Sequence, residues 1–190
     1  MAAEVRCLVI TGYGTNCEVE CAHAARRAGT DAADVVHFSE LALGRARPEE
    51  YNFLIFPGGF LDGDDLGAAQ AAAQRWKYTR TPHDEVLADL LLRFINRGGL
   101  ALGICNRFQL LVKLGLLPAL DSAWFTRQVS LAHNASGRYE DRWVRLHVDP
   151  DSPCVFTKGL EYLYVPVRHG EGNLVPDSPQ TLERLQKEHL

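Results

Sequence analysis

The chain is 190 residues long, 46% hydrophobic and 23% charged, with a formal net charge of -4. A single domain of that length buries about 70% of the surface its unfolded chain would expose, so a globular core is expected rather than disorder or a fibre. The acidic balance leaves no basic footprint for nucleic acid or an anionic membrane, and no apolar run reaches the length of a membrane span.

The first ten residues carry Glu4 and only a short apolar run, which does not read as a signal peptide. Cysteines at 7, 17, 21, 105 and 154 form an odd, scattered set, unlike a disulfide framework, and point to a reducing cytoplasm.

In chain order, residues 5–11 are apolar and rich in β-formers, ended by Gly12-Tyr13-Gly14: a buried strand and a turn. Residues 18–28 have helical spacing and stop at Gly29. Short strands are expected at 34–38 and 53–56, the second closed by Pro57-Gly58-Gly59. Asp62-Gly63-Asp64-Asp65 reads as a solvated loop, and alanine-rich 66–77 as a helix. Thr81-Pro82-His83-Asp84 has the hydroxyl, proline and acid of a helix start, with that helix running through 90–95 to Gly98-Gly99. A fourth buried strand at 100–104 leads into a helix at 108–114, ended by Gly115. Strands alternating with helices imply a parallel sheet covered on both faces.

From Ser122 the pattern changes. Residues 124–132 and 139–148 alternate apolar and polar around Asn134-Ala135-Ser136-Gly137, which predicts an antiparallel hairpin. A strand at 163–167 follows, and Ser178-Pro179 opens a last helix through Gln186.

Three features invite a chemical reading. Gly12-Tyr13-Gly14 after the first strand suggests a dinucleotide loop, but the third glycine of that fingerprint falls at Cys17. Cys17, Cys21 and His23 suggest a metal, yet they lie on or near one helix without a second ligand cluster. Cys105 stands at the joint between a buried strand and a helix, where a nucleophile elbow exposes its side chain above a sheet edge. The helix that follows aims its first amides at the same point and favours negative charge there. Gly103, two residues earlier, permits the tight approach. The local pattern leaves two readings open, a catalytic thiol and a buried core cysteine. Pro57-Gly58-Gly59 ends the preceding strand and is expected beside the elbow, where glycine amides could donate to an oxyanion.

These residues carry a resemblance. Residues 103–109, Gly-Ile-Cys-Asn-Arg-Phe-Gln, resemble the G-x-C-x-G-x-Q elbow of class I (triad) glutamine amidotransferases. "GTNCE" at 14–18, "FPGGF" at 56–60, "GICNRFQLLVKLGLLP" at 103–118, "NASGRYEDRWVRL" at 134–146 and "HGEG" at 169–172 together resemble one branch of that family. The branch is that of the glutaminase subunits of phosphoribosylformylglycinamidine synthase, and the likeness spans roughly residues 5–176.

The resemblance implies a flavodoxin-like layered α/β fold with a mostly parallel central sheet and an antiparallel extension, the whole chain forming one amidotransferase domain. It implies Cys105 as nucleophile, the amides of Gly59 and Asn106 as oxyanion hole, and Gly58, Gln109 and His169 as substrate-binding residues. Glutamine is the implied substrate. The implied partners are a synthetase subunit and a small bridging subunit. No cofactor is implied in this chain; ATP and Mg belong to the partner, in keeping with the absence of a G-x-x-x-x-G-K-[ST] loop here.

The sequence departs from the family pattern at three places. Arg107 stands where the elbow usually has glycine, and Leu61-Asp62-Gly63-Asp64 replaces the usual S-Y-G-D. The family's triad is completed by a His-x-Glu motif near its C-terminus, and none of the seven histidines here lies in it. His169-Gly170-Glu171 has the spacing, which would permit His169 as base, but the resemblance puts it in the upstream "HGEG" segment that lines the site. The chain is therefore expected to be a truncated form, with ~30–80 residues to follow on grounds of domain completeness. Two other functions fit the same residues: a different elbow-cysteine hydrolase, and a non-catalytic binding subunit.

Overall fold

The computed structural model describes residues 4–190; Met1–Ala3, part of the stretch weighed above as a signal sequence, lie outside the described residues. Among the described residues no helix is long and apolar enough to cross a membrane. The chain divides into two compact units, one ending at Leu114 and one running Gly115–Leu190.

The first unit is built on four parallel strands in the order β2-β1-β3-β4: β1 Arg6–Thr11, β2 Ala32–His37, β3 Phe53–Phe56 and β4 Leu100–Gly103. Cys7, Leu8, Val9 and Ile10 are all 0% exposed. A strand buried on both faces reads as a continuous apolar run, which explains why β1 is legible without alternation. On one face α1 (Glu18–Arg27) lays the small side chains of Ala22 and Ala25 against Cys7, Val9, Ala33 and Ile55. Trp76 of α3 (Gln70–Tyr78) meets Phe38 and Phe56 edge-on, with ring centroids 5.4 and 5.7 Å apart. In α4 (Leu87–Asn96) Leu87, Leu90, Leu91 and Phe94 recur at helical spacing and are buried. Past its end, Arg97 donates to the carbonyls of Pro48, Glu49 and Tyr51, tying the helix to a 3-10 turn at Pro48–Glu50.

Strand order reverses between β1 and β3, because the chain goes from β1 outward to β2 and returns on the other side. In open α/β sheets that switch point, at the carboxyl ends of the strands, is where ligands bind. The loops that leave β1, β3 and β4 there carry Gly12–Cys17, Pro57–Leu61 and Cys105.

Several expected elements are shifted, each for a local reason. The second strand ends earlier than expected, since Phe38 opens a short helix, α2 (Phe38–Ala42), capped by His37, whose Nδ1 accepts from the Ser39 amide. The alanine-rich helix begins only at Gln70, because Ala69 is left-handed (φ 57°) and its amide donates to Asp64. Thr81 does not start a helix. Its hydroxyl accepts from the amides of His83 and Glu85, closing a turn bridged by Arg80 and Val86, and α4 starts at Leu87.

The second unit holds two antiparallel pairs and a helix. β5 (Val129–Ala132) pairs with β8 (Asn173–Pro176), and β6 (Glu140–His147) pairs with β7 (Tyr162–His169) along its full length. The expected hairpin between the strands around 124–132 and 139–148 is therefore not formed. The turn after β5 does close, Gly137 donating to the Asn134 carbonyl, but the Asn134 amide and side chain bond to residues 169–172. Those bonds set β5 against the strand that follows Gly172. The final helix, α6 (Pro179–Lys187), is capped by Ser178, whose hydroxyl accepts from the Thr181 amide.

Phe94 is fully buried beneath α4. Phe94→Ala is expected to cost about 3–5 kcal/mol, through lost burial and the cavity left behind. Urea unfolding measures it; a loss below about 1 kcal/mol would mean the site collapses freely around the missing ring.

Candidate active site

The elbow is built from four backbone facts. Ile104 continues β4 by donating to the Phe56 carbonyl at 3.0 Å. Cys105 then turns into the left-handed region, at φ 54°. Such a conformation costs a β-carbon-bearing residue about 1–2 kcal/mol and is kept only where the surroundings over-determine it. The Cys105 carbonyl accepts from the amides of Phe108 and Gln109, so the turn runs directly into α5 (Asn106–Leu114). Gly103 has no β-carbon because one there would overlap Leu111 and stand 2.9 Å from the Arg107 carbonyl oxygen. The thiol itself is exposed. Of the two readings open for Cys105, an exposed thiol on a strained turn excludes the buried core cysteine.

The loop after β3 lies against the thiol as the strand order predicts. A β-carbon on Gly58 would stand 3.1 Å from the Cys105 β-carbon and 3.9 Å from its sulfur. The next residue, Gly59, pairs with Thr15 in an antiparallel bridge. The bonds of that bridge flank the pair: Asn16 donates to the Gly58 carbonyl at 3.3 Å and Phe60 to the Gly14 carbonyl at 2.9 Å. Gly59 therefore occupies the non-hydrogen-bonded position, with its own N–H turned away from the Gly12–Cys17 loop. Its φ of 146°, and the collision a β-carbon would make with the Gly14 carbonyl, leave only glycine at this crossing.

A buried polar network underlies the elbow. Asn106 is 2% exposed; its Oδ1 accepts from the Leu61 amide, and its Nδ2 donates to the Asp64 carboxylate and to Gln109 Oε1. Gln109 is buried as well. Arg107, also 2% exposed, runs back under β1, where Nη2 donates to Thr15 Oγ1 at 3.3 Å and the Ile10 carbonyl at 3.5 Å; its Nε has no partner. Burial pushes the Arg107 guanidinium down to about 10, against the attraction of Asp62. Asp62 is itself paired with Arg75 at 3.1 Å. Within 62–65, Gly63 and Asp65 are exposed as expected of a solvated loop, but Asp62 and Asp64 are half-buried, because the elbow helix and α3 supply them with donors.

Cys154 is exposed as well; the other three cysteines sit differently. Cys7 is fully buried; burial first, then Cys21 and Asp34, pushes its thiol up to about 11. Burial does the same to Cys21, with help from Cys17 and the glutamates of α1. Cys17 is raised by burial, then by Glu20, Cys105 and Glu18. His169 belongs to the second unit, at the end of β7, with Nδ1 2.9 Å from Asn134 Oδ1. Asp64, Thr15 and Asn16 stand in sequence segments quoted above, but without a role in the site. Nothing in their spacing marks them, since their roles arise only when two loops and a helix meet.

Residues 4–190 match the model of the CobB/CobQ-like glutamine amidotransferase domain. The chain is 44% identical over 170 residues to phosphoribosylformylglycinamidine synthase subunit PurQ of Methanococcus maripaludis strain S2, covering 90% of this chain and 59% of that protein. To the subunit of the same name from Dehalococcoides mccartyi it is 41% identical over 183 residues, covering 96% of this chain and 68% of that one. It spans 59–65% of the length of the M. maripaludis relatives. Among solved structures it is similar to a chain of PurLQS from Thermotoga maritima, with TM-score 0.69 and 27% identity, covering 93% of this chain and 72% of that chain. A glutamine amidotransferase from the same organism, at 21% identity and TM-score 0.53, shares the fold.

Arg107 carries a testable cost. Its proton affinity is lower folded than unfolded, so below about pH 10 the buried cation destabilises the fold, and the penalty lifts as pH rises above that. A difference of that size is on the order of 3 kcal/mol before its two hydrogen bonds are counted. Arg107→Met, similar in length and uncharged, is expected to raise stability at pH 7 by about 1–3 kcal/mol. Urea unfolding at pH 7 decides it; a loss instead would mean the bonds to Ile10 and Thr15 outweigh the desolvation.

Proposed function

The chain belongs to the CobB/CobQ-like glutamine amidotransferase family, and from that membership we propose that it is the glutaminase subunit of a phosphoribosylformylglycinamidine synthase. The observation that carries the proposal is the exposed Cys105 in a left-handed elbow, set against the Gly58-Gly59 loop. In this reading residues 1–190 act as one amidotransferase domain.

The Cys105 sulfur attacks the side-chain carboxamide carbon of glutamine. The carbonyl oxygen takes up the negative charge and is met by two N–H donors, those of Gly59 and Asn106. Collapse breaks the C–N bond, and the nitrogen leaves as ammonia, its third hydrogen being the proton that the Cys105 thiol gave up on attack. Water then cleaves the glutamyl thioester to glutamate and returns the thiol. Gly58, Gln109 and His169 serve as substrate contacts. Gln109 also braces Asn106, which keeps the Asn106 amide in place.

The ammonia goes to a synthetase that holds ATP and Mg and forms the amidine, with a small bridging subunit in the assembly. The likeness to a chain of PurLQS supports these partners. Five free cysteines support a reducing, cytoplasmic setting.

Glutamine-dependent ammonia release separates this function from that of any other elbow-cysteine hydrolase. Cys105→Ala is expected to abolish it while leaving the unfolding free energy within about 1 kcal/mol. A glutamine-mimicking electrophile at pH 8 is expected to label Cys105 first, because Cys7 and Cys21, held near 11, stay protonated. Peptide mapping that finds the label mainly on Cys17 or Cys154 would remove the assignment.

Ammonia released without an acceptor is wasted, so glutamine hydrolysis is expected to be coupled to the synthetase. A coupling of about 1–3 kcal/mol gives a 5–150-fold rise when the synthetase and its substrates are added. Steady-state ammonia release with and without the synthetase measures it, and an unchanged rate would point to a stand-alone hydrolase.

A further inference from the structure

The side chain of Asn134 lies in a turn yet makes contacts across 35 residues of sequence, and its hydrogen bonds determine where a proton sits on His169. Asn134 Nδ2 donates to the carbonyls of His169 (2.8 Å) and Arg138 (2.9 Å), which can only accept. Asn134 Oδ1 accepts from the Gly172 amide at 3.0 Å, which can only donate. The orientation of the carboxamide is therefore fixed from both ends. The same Oδ1 lies 2.9 Å from His169 Nδ1 and has only lone pairs to offer. His169 Nδ1 must carry the hydrogen. In the neutral ring Nε2 is then a bare acceptor.

The ring is also packed against the chain at Gly172. A β-carbon at Gly172 would overlap Cε1 and Nδ1 of His169, so the imidazole rests directly on the backbone there. The Asn134 amide also donates to the Gly170 carbonyl, pinning the segment between ring and support.

We propose that Asn134 and Gly172 are positioning residues that hold His169 as the Nδ1–H tautomer, so that Nε2 accepts a hydrogen bond from an N–H group of the substrate. For a glutamine-like ligand that group is the ammonium or the carboxamide NH2; a neutral ring so held has no N–H to give the carboxylate. The proposal rests on His169 as a substrate contact, as read above. Hydrogen-bonding partners of this kind fix the ring of a metal-ligating histidine by the same physics. Here they would fix it for an organic donor.

The test uses the full protein with its synthetase and 15N-labelled histidine. Long-range 1H–15N correlation is expected to show a pyrrole-like Nδ1 and a pyridine-like Nε2 for His169. Asn134→Ala is expected to shift His169 towards the Nε2–H form and to raise KM for glutamine about tenfold, the worth of one well-placed hydrogen bond. In the same variant kcat and the rate of Cys105 alkylation change far less. Gly172→Ala, which leaves Asn134 intact and displaces only the ring, is expected to raise KM in the same way and covers the case in which Asn134→Ala does not fold. An Nε2–H signature in the unmodified protein overturns the tautomer. An Nδ1–H signature with an unchanged KM in His169→Ala upholds the tautomer and overturns the substrate contact. An Nδ1–H signature in a protein that hydrolyses no glutamine defeats the proposed function while the positioning of His169 stands.

Discussion

The left-handed backbone of Cys105 is the constraint on which the upper edge of the first unit depends. A residue with a β-carbon does not rest there unaided. The strand side is fixed by the Ile104 bond to Phe56, and the helix side by two amides on the Cys105 carbonyl. Between them Gly103 lets α5 fold back across the strand it has just left. The geometry exposes the sulfur, and the same geometry brings the first amides of α5 beneath it. Strain and the exposure of the sulfur thus have one origin, and the core packing of β1 and β3 supplies the energy that maintains both.

What stands opposite the sulfur is decided by a second crossing. The loop after β1 and the loop after β3 pass so close at Gly14 and Gly59 that backbone meets backbone without room for a side chain. Their two hydrogen bonds leave the Gly59 amide unspent in the bridge. Arg107 and Asn106 brace this crossing from below: one reaches Thr15 in the first loop, the other the Leu61 amide just past the second. A buried guanidinium with an unpartnered Nε is a costly brace. It occupies the position where the resembling family has glycine, and the β1–α1 loop supplies Thr15 Oγ1 to meet it.

Much of this was legible in the sequence because the elements concerned are local. A fully buried strand shows as an uninterrupted apolar run, and β3 falls on Phe53–Phe56 as read. The elbow shows as a small residue, a cysteine and then a helical period. Pairing partners are not local, and there the reading failed. Residues 129–132 alternate correctly for a strand, but alternation says nothing of which strand lies alongside; Asn134 chooses, by bonding to residues 169–172. The acids at 62 and 64 looked solvated because their partners, Arg75 and Asn106, are far along the chain. Thr81 looked like a cap because a hydroxyl closing a turn and one capping a helix use the same atoms.

The five thiols show how one residue type is divided by its surroundings. Cys7 lies in the central strand with no exposed surface, and its sulfur belongs to the core. Cys21 sits one helical turn beyond Cys17; burial raises both thiols first, and then Cys17, Glu20 and Glu18 act on Cys21, and Glu20, Cys105 and Glu18 on Cys17. The acidic first turn that suits the α1 dipole therefore works against ionisation of its cysteines. α5 has no acid in its first turn; Asn106 and Arg107 follow Cys105 instead. The two helix starts face the same edge of the same sheet, yet only the second leaves a neighbouring thiol free of carboxylates on its own helix. Burial first, and the charges around the α1 start after it, set Cys17 and Cys21 apart from Cys105, which stands exposed at the start of a helix without acids in its first turn.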